Sequence, residues 1–386
     1  MTGTVLIIFG TRPEAIKLAP LVREIEKRGR NKIAICVTGQ HREMLDQVLN
    51  VFEFKPDFDL DLMRTDQTLT DVTVGTLTGV ERVIKEVHPA MVVVQGDTTT
   101  AMAGALAAYY AQTPIAHVEA GLRTGQKYSP FPEEINRAVV DVMADLHFPP
   151  TETARQNLLR SGITDDSITV TGNTAIDAVM MMARQTQHFG LENSILRDIP
   201  ADLAEAVTGT APIHRLVLVT GHRRESFGDD LESICRALLK ISEEHEDVEI
   251  AYPVHLNPRV RETVSRLLGN SERIRLFEPP AYPAFIWLLQ RAHLVITDSG
   301  GIQEEAPALD KPVLITRRVT ERPEGVEAGC ARLVGVDMDD IFIAAEELLT
   351  DDGRYQKMAN APNPFGDGHA SELIAGAIEN WLTRNE

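Results

Sequence analysis

Four times along this chain a short, unbroken apolar run stops at a glycine-bearing loop and gives way to a segment with helical apolar spacing. The runs are Thr4 to Phe9 before Gly10, Met91 to Gln95 before Gly96, Leu216 to Thr220 before Gly221, and Leu294 to Thr297 before Gly300 and Gly301. A strand that is apolar throughout, rather than alternately, is covered on both faces, which is the condition of a parallel sheet clothed by helices. Further runs at Lys32 to Thr38, Pro114 to Val118, Leu146 to Phe148, Glu249 to Pro253, Arg273 to Phe277, Pro312 to Ile315 and Arg332 to Val334 keep the alternation going. The fold class expected is α/β, with doubly wound, Rossmann-like parallel sheets. Ligands of such sheets bind beyond the carboxyl ends of the strands, so the residues that follow each run carry the functional information.

The stretch Thr297-Asp-Ser-Gly-Gly-Ile-Gln-Glu-Glu305 is the most telling of these junctions. Two adjacent glycines let backbone N–H groups approach a ligand closely, and the helix they open adds partial positive charge at the same place. That describes a seat for a diphosphate. Glu304 and Glu305 in the first turn suit the helix dipole and can also accept the hydroxyls of a ribose.

At 386 residues the chain exceeds one hydrophobic core, and 43% apolar residues are enough to fill two. Between Gln185 and Ile213 the pattern loosens into polar residues with scattered Pro and Gly, and the strand–helix alternation then restarts. Residues 1–184 are read as one domain, joined by a C-terminal helix over residues 369–386, and residues 185–368 as the second, the two facing a central cleft. Lys and Arg number 38 against 57 Asp and Glu, a net charge of −19, which repels nucleic acid and anionic membrane. No run approaches 18 apolar residues and no signal-peptide pattern is present, so a cytoplasmic protein is expected. Three widely spaced cysteines, Cys36, Cys235 and Cys330, fit buried thiols better than a disulfide framework or a thiolate metal site.

Other strand ends carry charge in a consistent way. Gly10-Thr-Arg-Pro-Glu14 follows the first run, with Pro13 suited to a helix start and Arg12 and Lys17 placed for an anion; Pro20 is expected to kink the helix that follows. Asp97 and Glu119 each follow one of two neighbouring runs. Asp97 alone could be a helix cap and Glu119 alone a loop acid; two neighbouring strands each ending in an acid are less easily dismissed. Pro132 opens another helix with Glu133 and Glu134 in its first turn. Gly221-His-Arg-Arg-Glu225 brings His222, Arg223 and Arg224 to one strand end, the densest cationic cluster in an acidic chain. Thr316 to Glu324 adds a further cationic loop with Arg322. Tyr282, Phe285 and Trp287 are core candidates, with Phe285 also able to lie against a base.

Taken together and in order, Gly10-Thr-Arg-Pro-Glu14, Gly96-Asp97, His117-Val-Glu-Ala-Gly-Leu-Arg123, Pro132-Glu-Glu134, Gly221-His-Arg-Arg-Glu225, Ser299-Gly-Gly-Ile-Gln-Glu-Glu305 and Glu321-Arg-Pro-Glu324 resemble the non-hydrolysing UDP-N-acetylglucosamine 2-epimerases from end to end. The resemblance implies a fold of the glycosyltransferase B type, a homodimer, and interconversion of UDP-GlcNAc with UDP-ManNAc for surface polysaccharide synthesis. By the same motifs it implies that Arg12, Lys17, His222, Ser299, Gly300, Gly301, Glu305 and Arg322 contact UDP, with Phe285 near the base. Asp97, Glu119 and Glu133 match the catalytic acids, and His222 is counted with them. Pro280 stands where related chains can carry a glutamine that touches the nucleotide.

Some members of the family also bind UDP-GlcNAc at a second, adjacent site, and Gln40, Glu133, Arg223 and His255 match residues of that site. Glu43 and Asp66 stand where bacterial members often carry Gln and Arg. Two acids in place of an amide and a cation weaken a diphosphate site. Acids, cations and backbone dipoles cover the expected chemistry, so neither a metal nor a redox cofactor is called for. A retaining sugar-nucleotide glycosyltransferase, a hydrolysing epimerase and a sugar-nucleotide-binding protein without turnover are the other readings of the same pattern.

Overall fold

The computed structural model describes residues 3–39, 48–64, 66–208, 215–221 and 228–385. The chain divides into two units, one of Met1–Ala178 with Phe365–Glu386 and one of Val179–Pro364. Each holds one six-stranded sheet in which every strand pairing is parallel.

In the first unit the strands are β1 (Thr4–Phe9), β2 (Lys32–Val37), β3 (Phe58–Asp59), β4 (Met91–Gln95), β5 (Ile115–Val118) and β6 (Leu146–Phe148), in the order β3-β2-β1-β4-β5-β6. Val5, Leu6, Ile7 and Ile8 are all fully buried, as are Val92, Val93 and Val94, because helices cover both faces. The helix Thr99–Tyr110 is rich in alanine; its Gly104 lies against Ile8 and Val94, so helix and sheet approach closely. Burial of these strands and their helical cover removes enough apolar surface to drive the fold, at about 25 cal/mol per Å².

The second unit repeats the plan with β7 (Arg215–Thr220), β8 (Val248–Pro253), β9 (Ile274–Phe277), β10 (Ala292–Thr297), β11 (Val313–Ile315) and β12 (Ala331–Leu333), ordered β12-β11-β10-β7-β8-β9. Counted from the first strand of each unit the two orders are the same. In each, the sequence reverses direction beside the first strand, at β1/β4 and at β7/β10. These are the switch points at which doubly wound sheets bind ligands.

Some local expectations shift. The helix Arg12–Arg28 starts one residue before Pro13 and runs on through the buried Pro20. Pro132 stands just outside the helix Glu133–Met143 rather than at its first position, since its carbonyl accepts the Asn136 N–H. The stretch from Phe52 to Leu69, which has no clear period, supplies the two-residue edge strand β3. All three cysteines are free and buried, and burial pushes the Cys36 and Cys235 thiols up to about 12. Among the described residues no helix is long and apolar enough to cross a membrane.

The C-terminal helix Ala370–Asn385 belongs to the first unit and is tied to it at three points. Gly172 and Gly366, both with left-handed φ, bring two backbones together, and a Cβ on Gly172 would stand 3.1 Å from the Gly366 Cα. Arg28 and Arg30 reach Glu379. Asp177 accepts the Ser371 N–H at 2.7 Å and the Ala370 N–H at 3.3 Å, capping the helix from a distance in sequence. Burial raises the Asp177 carboxyl, against the hydrogen bonds from Ser371 and Ala370 that lower it. A folded value above the unfolded one makes the associated stability present at low pH and lost as pH rises through the folded value. At neutral pH what remains is the cap itself, since a carboxylate still accepts both N–H groups, and Asp177→Ala is expected to cost about 1–2 kcal/mol in denaturant unfolding. Asp177→Asn, which keeps an acceptor and drops the buried charge, should cost less, and the ranking reversed would remove this capping role.

Candidate active site

The first unit gathers its charge at the β4 and β5 ends. Asp97 follows β4 across Gly96, and Glu119 follows β5 directly. Glu119 is a non-glycine residue with a left-handed φ of 64°, a backbone state that ordinary side chains rarely adopt and that surrounding contacts must hold. Three side chains do so. The Gln95 amide donates to Glu119 Oε2 at 3.0 Å, Lys17 from the first helix pairs with the same oxygen, and Arg137 approaches Oε1 at 3.4 Å.

Arg137 is the centre of the group. Its NH2 also lies 2.7 Å from Asp97 Oδ2, so one guanidinium, only 8% exposed, spans both acids. Asn136, its neighbour in sequence, donates to the Asp97 carbonyl at 3.0 Å. Both contacts are made by the same terminal nitrogen, and the buried Arg137 Nε has no hydrogen-bond partner among the described residues. Glu133 is half-buried and lies one helical turn before Arg137, on the same helix face. Glu134 plays a different part, since its two oxygens accept the Thr124 and Gly125 N–H groups and fix the loop before the helix.

A further acid holds the neighbouring loops. Glu14, 1% exposed, accepts the Gly10 and Thr11 N–H groups and the Thr98 hydroxyl, which joins the β1 loop to the residue after Asp97. Burial pushes its carboxyl up while those three groups work to lower it. Gly10 is required here because a Cβ would overlap the Thr38 and Thr100 hydroxyls. Arg12 sits half-buried in the first turn of the helix that Glu14 caps.

In the second unit the helix Gly300–Glu305 follows β10, with Ser299 at its cap position. Ser299 makes no side-chain capping bond, and its N–H is held by Thr297 Oγ1. The helix has six residues, so its dipole is small. The two glycines serve different ends. A Cβ on Gly300 would press on the Arg322 guanidinium at 3.1 Å, whereas one on Gly301 would meet only Glu305 Oε1 at 3.5 Å among the described residues. Gly301 is exposed, so its bareness leaves room for something other than the protein's own packing.

Helix register separates the two glutamates. Glu304 is buried and holds Arg322 Nε at 2.7 Å, while Glu321 takes Arg322 NH1 at 3.1 Å. Glu305 is half-buried and lies by Gly301, so of the pair it is the one placed beside the bare backbone. Phe285 is half-buried on the helix Tyr282–Arg291, whose other apolar residues, Tyr282, Trp287 and Leu288 among them, are in the core.

Of the acids expected from sequence, Asp97 and Glu119 are brought together and Glu133 stands one turn from their shared cation. His255 is exposed beyond β8, its Nδ1 accepting the Asn257 N–H, and Asp66 is exposed. His222, Gln40, Arg223 and Glu43 lie outside the described residues. Gln95, Arg137 and Glu14 were not singled out from sequence. A signal existed for two of them: Thr11-x-x-Glu14 is a capping-box spacing, and Arg137 lies four residues after Glu133. Among the described residues no group of three or more His, Cys, Asp or Glu is arranged to hold a metal ion.

Comparison with known proteins gives the family. The family model described as UDP-N-acetylglucosamine 2-epimerase matches residues 23–379. UDP-N-acetylglucosamine 2-epimerase of Escherichia coli (strain K12) is 50% identical over 376 residues, covering 97% of this chain and 98% of that protein. The crystal structure of UDP-GlcNAc 2-epimerase from Neisseria meningitidis bound to UDP-GlcNAc superposes with a TM-score of 0.85 at 41% identity, covering 98% of this chain and 100% of that one. The S. aureus MnaA–UDP co-structure gives a TM-score of 0.84 at 44% identity, covering 99% and 97%. The two-sheet architecture is of the glycosyltransferase B type. The chain belongs to the UDP-N-acetylglucosamine 2-epimerase family.

Proposed function

We propose that the chain interconverts UDP-N-acetylglucosamine and UDP-N-acetylmannosamine by eliminating UDP to a 2-acetamidoglucal and adding it back. The observation that carries this reading is the convergence of Asp97 and Glu119 on Arg137 in a chain of this family. The chemistry explains why acids and cations are both needed. The C2 hydrogen lies beside an acetamido group rather than a carbonyl, so it is too weakly acidic for simple abstraction. A carboxylate takes the C2 proton, the C1–C2 double bond forms, and the C1–O electron pair leaves with UDP. Re-addition of UDP at C1 with a proton delivered to the other face of C2 gives the epimer. The cycle is redox-neutral, and every proton removed is returned.

Arg12, Lys17, His222, Arg322 and the Gly300–Gly301 N–H groups are the proposed stabilisers of charge on the departing UDP. Ser299 and Glu305 are proposed to meet its diphosphate and ribose, and Phe285 its base. Asp97, Glu119 and Glu133 are the proposed proton carriers. Lys17 couples the two sets, since it stands in the cationic group and pairs with Glu119. A cytoplasmic homodimer feeding surface polysaccharide synthesis is the biological setting proposed. Second-site binding would draw on Gln40, Arg223 and His255, and the acids Glu43 and Asp66 weigh against it.

Incubation with UDP-GlcNAc in deuterated water, followed by NMR, is expected to show UDP-ManNAc with deuterium at C2. Unlabelled substrate recovered unchanged would reject the reading in favour of binding without turnover, and free N-acetylmannosamine as main product would favour a hydrolysing enzyme. Asp97→Asn and Glu119→Gln should each lower kcat by about 10²–10⁴-fold, the usual contribution of a placed acid or base. Near-normal turnover in either would remove that residue's role. Gly301→Ala should weaken UDP binding by roughly tenfold or more while leaving the melting temperature nearly unchanged, because its Cβ enters space the protein does not fill. Unchanged UDP affinity would move the diphosphate away from this loop.

A further inference from the structure

Asp97 is aimed by a glycine with unusual freedom. Gly96 has a φ of 71°, and a Cβ built on it would meet nothing within 4 Å among the described residues, so side-chain packing does not determine its conformation. Hydrogen bonds do. Its N–H donates to the Val118 carbonyl at 2.9 Å, and its own carbonyl oxygen lies 2.8 Å from His117 Nε2. Both contacts come from the end of β5, the strand that leads directly into Glu119.

His117 is fully buried, and its other nitrogen is taken as well. Nδ1 lies 2.7 Å from Asp141 Oδ1, while Asp141 Oδ2 receives Arg123 at 2.5 Å. A carbonyl oxygen only accepts. Burial works to raise the Asp141 carboxyl, but the charges and hydrogen bonds of His117 and Arg123 outweigh it and hold the group below the usual carboxylate range. The Gly96 carbonyl therefore accepts from Nε2, and a hydrogen bond joins Nδ1 to Asp141. The Asp141 carbonyl is used in turn by His147 Nε2 at 2.8 Å. Asp141 sits one turn after Arg137 in the helix that begins at Glu133, so a single buried pair links the elements bearing Asp97, Glu119 and Glu133.

We propose that His117, oriented by Asp141, is a positioning residue for the reaction: it fixes the Gly96–Asp97 peptide, through the Gly96 carbonyl, in the geometry at which Asp97 meets the sugar. This rests on the epimerase reading above. Misplacing a catalytic group by about 1 Å costs on the order of 10²-fold in rate.

Two replacements of similar size separate positioning from mere packing. Asparagine places its amide N–H near the position of Nδ1, so His117→Asn keeps a donor to Asp141 and loses the Gly96 bond. Glutamine places its amide near Nε2, so His117→Gln keeps the Gly96 bond. The measurement is kcat, KM and C2 deuterium incorporation with UDP-GlcNAc, with active protein counted by UDP titration and melting followed in parallel. The expectation for His117→Asn is a kcat lowered by roughly 10²-fold with KM little changed, and for His117→Gln a recovery of most of that loss. Equal kcat in His117→Asn and wild type, or equal losses in the two variants, would overturn the proposal. Should the asparagine variant not fold, Asp141→Asn, which leaves His117 present but without its orienting charge, is expected to lower kcat in the same selective way. Loss of UDP binding in both would make the pair architectural and overturn the proposal. A wild-type protein without C2 exchange would instead strike at the epimerase reading itself.

Discussion

Two carboxylates at the ends of adjacent parallel strands are held around one buried guanidinium, and the proposed chemistry depends on that arrangement. Like charges at short range repel strongly where water is scarce, so Asp97 and Glu119 can share a small volume only with a cation between them. Arg137 supplies it, reaching Asp97 at 2.7 Å and Glu119 at 3.4 Å, with Lys17 paired to the other oxygen of Glu119. Removing one member of a buried ionic group typically costs about 3–5 kcal/mol, against about 0–1 kcal/mol for a surface pair. Exposed pairs such as Lys85 with Glu81 are therefore minor beside it. Buried ion groups add little net stability over a well-packed apolar core. The cluster is better understood as a device for holding acids in place, and the left-handed backbone of Glu119 fits the same reading, since strain persists where the surroundings dictate it.

The shared strand order explains how one chain divides the work. Both units direct the loops after their first and fourth strands to a switch point, and the fold is neutral as to what those loops carry. In the first unit the loops carry Arg12, Asp97 and, one strand over, Glu119. In the second they carry Ser299, Gly300 and Gly301, with Arg322 packed over Gly300 and held by Glu304 and Glu321. Acids gather at the strand ends of one sheet, and two adjacent glycines with a cation packed over the first at those of the other.

Much of this was legible along the chain, and the reason is locality. Unbroken apolar runs such as Val5 to Ile8 report burial on both faces without reference to anything distant, and the residue that ends a parallel strand is placed by that fact alone. Asp97 and Glu119 were readable in this way. Arg137 was harder, because its value lies in two partners 40 and 18 positions away in the chain. His117 belonged to a recognisable motif, yet its link to Asp141 and the Gly96 carbonyl appears only when β4, β5 and a helix are packed together. Glu304 and Glu305 look interchangeable as letters; one residue of helical rotation sends the first to Arg322 and leaves the second beside Gly301. The edge strand Phe58–Asp59 is too short to show a period at all.

The proposed reaction breaks the bond between C1 of the sugar and the β-phosphate oxygen, and positional isotope exchange tests that step directly. UDP-GlcNAc carrying oxygen-18 in that bridging position would be incubated with the enzyme and the β-phosphorus followed by NMR as epimer accumulates. Elimination and re-addition of UDP would carry label into the non-bridging β-phosphate oxygens during epimerisation. Formation of UDP-ManNAc with all of the label still in the bridge would contradict it.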